Sequence, residues 1–115
     1  MNALHPNTRY YTPWGWEQII EHTKKYVVKH IHVRKGNRLS KQYHEKKLET
    51  WFFIKEGKLI KLKTIKPKEV HRLEAKDYDV DIIEVSTPEL TDVVRVEDDY
   101  GRAEIDTNIS SNGVE

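Results

Sequence analysis

Gln42, His44 and Glu49 carry the side chains in this chain best suited to metal chemistry. They lie in RLSKQYHEKKLETWFFIKEG, residues 38–57, and His71 follows in EVHRLEA. Gln42 and His44 are two apart, so on an extended strand both point to one face. Glu49 comes five residues after His44, across a short turn, on the strand that contains Trp51 and Phe53. Two ligands from one strand and one from each of two others could build a metal site at the mouth of a β-barrel. Such nitrogen and oxygen ligation suits Zn, Mn, Fe, Co or Ni and leaves positions open for substrate. Spacing alone leaves a second reading open, in which these are solvated polar residues on strand faces.

The elements that must position these groups are strands. YVVKHIHV places Val27, Lys29, Ile31 and Val33 on one face and Tyr26, Val28, His30 and His32 on the other. His30 and His32 thus form another same-face pair, read as strand-face residues. RKGN turns at Gly36, ETWFFIKEG is an aromatic strand ending at Gly57, and KLIKLKTI alternates. EVHRLEA reads as a short strand entered after Pro67, DVDIIEVS as another that stops at Pro88, and GWEQIIEHTKKY as strand and turn rather than helix. Several short strands separated by turns predict an all-β sandwich or closed barrel. Residues 1–13, polar and with two prolines, read as an N-terminal arm or edge strand. Residues 14–102 form the barrel, and 103–115 a polar C-terminal tail.

At 115 residues the chain is one domain. Twenty basic and 19 acidic residues are interspersed, which argues against a nucleic-acid partner. No cysteine is present, so disulfides, thiolate catalysis and Cys-based zinc sites are excluded. No segment approaches the ~20 apolar residues of a membrane span, and the expected location is the cytoplasm.

Larger blocks carry a family resemblance. TPWGW, VVKHIHVRKG, LSKQYHEKKLETWFFIKEG, VHRLEA followed by DIIEV, and VVRVEDDYGR occur in that order between Thr12 and Arg102. The chain resembles the cupin superfamily, and within it the small type II mannose-6-phosphate isomerase domain. The resemblance implies a double-stranded β-helix, or jelly-roll barrel, with one divalent metal ion at Gln42, His44, Glu49 and His71. It also implies interconversion of mannose 6-phosphate and fructose 6-phosphate. Glu84, a carboxylate interrupting an apolar run, is then the candidate proton shuttle. Arg95 would anchor the phosphate or neutralise developing charge, and Arg38 and Lys41, flanking the ligand strand, would help bind the anionic substrate.

Two departures from the family pattern shape the expectation. HEKK stands where the family often has a run of histidines. Only thirteen residues separate Gly57 from His71, too few for the usual hairpin, so part of the barrel wall is expected to be missing and the pocket to be shallower and wetter. The alternative function is a reduced cupin that binds a metal, sugar or carboxylate without turnover. A metal-free epimerase-type cupin would leave Gln42 and Glu49 idle. A homodimer is possible, through edge strands or a crossing N-terminal arm.

Overall fold

Alternating side chains organise the chain into ten strands, as seen in a computed structural model that describes residues 7–103. They are β1 (Arg9–Thr12), β2 (Gly15–His22), β3 (Val27–Val33), β4 (Asn37–Arg38), β5 (Lys41–Tyr43), β6 (Glu49–Lys55), β7 (Lys58–Ile65), β8 (Glu74–Ala75), β9 (Val80–Ser86) and β10 (Val94–Glu97). Six of them form one antiparallel sheet in the order β1-β2-β3-β9-β6-β7. Facing it are two short pairs, β10-β5 and β4-β8, extended by a single bridge between Gln42 and His71. The architecture is all-β, the expected double-stranded β-helix. Among the described residues no helix is long and apolar enough to cross a membrane.

The parity read from YVVKHIHV holds. Val27, Ile31 and Val33 are buried, and they share the inner face of the large sheet with Trp51 and Ile82. Leu73 and Ala75 from the second layer and Trp14 from the β1–β2 turn complete the core. Burial of these side chains at about 1.5–3 kcal/mol each is the main force closing one layer on the other. β1 is the edge strand anticipated for the N-terminal region. Residues 1–6 of the proposed arm and 104–115 of the proposed tail lie outside the described residues.

Two local features depart from expectation. EVHRLEA does not form a continuous strand: His71 makes one bridge, and pairing resumes only at Glu74. Arg72 is diverted instead, its Nε donating to the Leu39 carbonyl at 2.9 Å. Among the described residues β7 has no strand on its outer side, and seven of its eight residues are exposed. This is where the shortened connection leaves the wall open. The β6–β7 turn is tight, with both Glu56 and Gly57 in the left-handed region (φ 52° and 76°) that a two-residue hairpin requires.

Candidate metal centre

β6 begins at Glu49, which faces inward and is buried. His44 reaches it from the loop after β5, and His71 reaches it because its backbone pairs in both directions with that of Gln42, at 2.8 and 2.9 Å. His44 Nε2 lies 2.8 Å and His71 Nε2 3.1 Å from the same carboxylate oxygen, Glu49 Oε2. The ligand atoms of these three residues all lie within 4.8 Å of one another. All three side chains are almost fully shielded from solvent. The exposed flank of the molecule is thus β7, while the three ligands are buried.

Proton positions follow from the second nitrogen of each ring. His44 Nδ1 bonds the Asp92 carbonyl and His71 Nδ1 bonds the Glu69 carbonyl. A carbonyl can only accept, so both Nδ1 atoms carry hydrogen and the neutral rings aim Nε2 lone pairs at a carboxylate. Some cation has to lie between them, either protons on Nε2 or a metal ion. His71 Nε2 is buried, and among the described residues the one acceptor close to it is the Glu49 carboxylate, at 3.1 Å. Donor separations near 3 Å suit ligands at ~2.1 Å from a common ion, and imidazoles fixed through Nδ1–H to a carbonyl are the usual second shell of such sites. The donor set thus fits a divalent ion. Burial opposes the charge on Glu49, but the two imidazoles and Lys47 outweigh it and hold the carboxyl well below its usual range.

A cavity of about 190 Å³ opens beside the centre. Gln42 lines it in the same row as His71 and Arg95, with its Oε1 accepting the Ser40 hydroxyl at 2.8 Å. Arg95 also lines the cavity, near enough to Asp98 to help hold that carboxyl below its usual range, alongside Arg102. Glu84 projects from β9 on the inner face, directly opposite Lys29 and Trp51. Burial, the charge of Glu49 and weaker opposing effects of Lys29 and Lys47 leave its carboxyl pushed up to about 7. Lys47 Nζ is 3.9 Å from Glu84 Oε2.

Arg38 and Lys41 are not brought to this cavity. Arg38 forks onto Asp99 at 2.8 and 2.9 Å on the surface. Lys41 is exposed on the face of β5 opposite to Gln42. The structure therefore does not bring these two candidates together with the rest of the site. Lys29, Lys47 and Glu17, which line the cavity, were missed. Lys29 carried a readable signal, as a lysine on the apolar parity of β3. It is neutralised by Glu17 at 3.3 Å. A larger cavity, about 370 Å³, lies at the far end of β6 and β9 around Phe53, Tyr78 and Val80, and contains none of the candidate ligands.

Comparison with known proteins gives the same architecture. The family described as mannose-6-phosphate isomerase C-terminal matches residues 1–104. No curated protein matches the chain. Among solved structures, an uncharacterised conserved protein with a double-stranded β-helix domain from Klebsiella pneumoniae subsp. pneumoniae MGH 78578 aligns with TM-score 0.64 and 17% identity, covering 79% of this chain and 86% of that one. KdgF from Halomonas sp. aligns with TM-score 0.62 and 16% identity, covering 76% and 92%. CapF bound to 3-isopropenyl-tropolone aligns with TM-score 0.64 and 16% identity, covering 83% of this chain and 36% of that one.

Proposed function

The chain belongs to the mannose-6-phosphate isomerase C-terminal family, and from that premise we propose that it is a metal-dependent aldose–ketose isomerase acting on mannose 6-phosphate and fructose 6-phosphate. The observation that carries this reading is the convergence of His44 Nε2 and His71 Nε2 on Glu49, with Gln42 alongside. A divalent ion held there would supply Lewis-acid stabilisation of negative charge on the sugar oxygens.

The reaction moves one hydrogen between C2 and C1 while the carbonyl moves the other way. Glu84 is the group that takes the proton from one carbon and returns it to the other. A carboxyl poised near 7 exchanges protons readily at neutral pH. Lys47, behind it, stabilises the ionised form. Arg95, across the cavity, supplies a guanidinium fork for the phosphate or for developing charge.

The test is isomerisation of mannose 6-phosphate. Activity is expected to vanish with chelator, to return on reloading metal, and to fall by ~10²–10⁴ in Glu84→Gln while bound metal is retained. The modest cavity, about 190 Å³, favours a second reading in which the chain binds a sugar or carboxylate without turnover. Ligand-dependent thermal stabilisation with no product from metal-loaded protein would select it.

A further inference from the structure

Phe53 follows Glu49 and Trp51 on the inward parity of β6, and its partner across the β6–β7 pair is Lys61. Directly paired residues share a face, so this lysine points to the inner side of β7. Beside them, at the far end of β6 and β9, is the cavity of about 370 Å³, within the ~300–1,000 Å³ of small-molecule sites. It shares no lining residue with the cavity beside the metal ligands. Phe53 and Val80, both packed on the core, give it an apolar floor, and Tyr78 borders it from the connection between β8 and β9. Three lysines stand at its rim. Lys61 Nζ is 4.5 Å from the centre of the Phe53 ring, Lys55 Nζ is 3.9 Å from that of Tyr78, and Lys76 lines the same opening.

Among the described residues none of these three ammonium groups is ion-paired with a carboxylate. Acids are present at the rim but are engaged elsewhere. Asp79 accepts the Lys35 amide at 2.7 Å and lies 3.3 Å from His32 Nε2. Asp81 bonds His30 and His32 at 2.9 and 2.8 Å. Glu74 stands opposite Arg38 across the β4–β8 pair and interacts with its charge. That leaves Asp77 as the one acid to balance three lysines.

We propose that this cavity is a second ligand site, separate from the metal centre, for a small anion with an apolar body: an aromatic carboxylate or phosphate monoester. The body lies on Phe53 and Val80, and the anionic end meets Lys55, Lys61 and Lys76. An ammonium resting on an exposed ring is held weakly. Its flexible four-carbon stem lets it swing from the ring face to an arriving anion. A compact ammonium accepts carboxylate and phosphate alike, whereas a guanidinium fork selects by geometry. The lining therefore sets the charge and shape of the ligand and leaves the acid group open. A bare inorganic anion would leave the apolar floor in water, and a neutral aromatic would leave the lysines unpaired.

Titration of the full chain with 2-naphthoate and 2-naphthyl phosphate, read by ligand fluorescence, tests this. 2-Naphthol supplies the body without the charge, and inorganic phosphate, read by displacement, supplies the charge without the body. Saturable binding of at least one of the two anions is expected, and the tighter one identifies the acid the site prefers. Naphthol and inorganic phosphate are each expected to bind about tenfold more weakly or worse, since each lacks half of the contacts. Lys55→Gln and Lys61→Gln are each expected to weaken the anions by about 2–5-fold, the worth of an exposed ion pair, and to leave naphthol unchanged. Glu49→Ala/His71→Ala, which removes two metal ligands, is expected to bind the anions as the wild type does, so failure of the isomerase reading would leave this site intact. Four results would overturn the proposal: no saturable binding of either anion, naphthol binding as tightly as they do, undiminished binding by a folded Lys55→Gln/Lys61→Gln variant, or loss of anion binding in a folded Glu49→Ala/His71→Ala variant.

Discussion

Asp92 holds His44 in two ways at once. Its carbonyl takes the Nδ1 proton of the ring, while its carboxylate accepts the amides of Glu45, Lys46 and Lys47 at 2.9, 2.7 and 2.9 Å. The loop that carries the ligand is thereby tied to the segment that fixes the ligand's tautomer. Asp92→Ala is expected to weaken metal binding by about 10–100-fold without removing any ligand, measured by competition with a chromogenic chelator. The same contacts set a pH dependence. Partial burial opposes the charge, but the three amide donors outweigh it and hold the Asp92 carboxyl below its ordinary value. A depressed carboxylate contributes stability above its unfolded pKa and loses it as pH falls through the folded one. Urea unfolding at a series of pH values is therefore expected to show the stability gap between wild type and Asp92→Asn narrowing below about pH 4.

At the scale of elements, the approach of β2 to β3 depends on one glycine. A Cβ at Gly15 would meet the backbone oxygen of His32 at 1.9 Å, so TPWGW needs glycine for room as well as for its φ of +158°, which other residues rarely adopt. Gly15→Ala is expected to cost about 1–3 kcal/mol, read by chemical denaturation, and to displace Trp14, which packs in the core beside it. Much of this level was legible in the sequence. Alternation in β3 sorted its side chains into two faces and placed Lys29 on the apolar one, whereas VDIIEVS does not alternate, so Glu84 was legible only as a carboxylate interrupting an apolar run. Lys41 could have been placed by the alternation rule, because inward Gln42 forces its neighbour outward. The single His71 bridge was not legible, since it depends on where Arg72 finds a partner across the second layer. Asp92 was hidden for a related reason: its bonds run through main-chain atoms 45 to 48 residues away.

For the whole molecule, the shortened connection between Gly57 and His71 removes cover from β7 and leaves the metal ligands buried. A small barrel can lose wall on one flank and keep its polar centre, because the centre is assembled from the start of β6, the loop after β5 and one bridge. The most direct test of the account is metal content. Full-length protein would be loaded with Zn, Mn, Fe, Co or Ni, desalted and analysed for metal, with Glu49→Ala and Glu49→Ala/His71→Ala treated identically. One ion retained per chain in the wild type and lost in both variants is the predicted result. No retained ion in the wild type, or equal retention in the double variant, would contradict it.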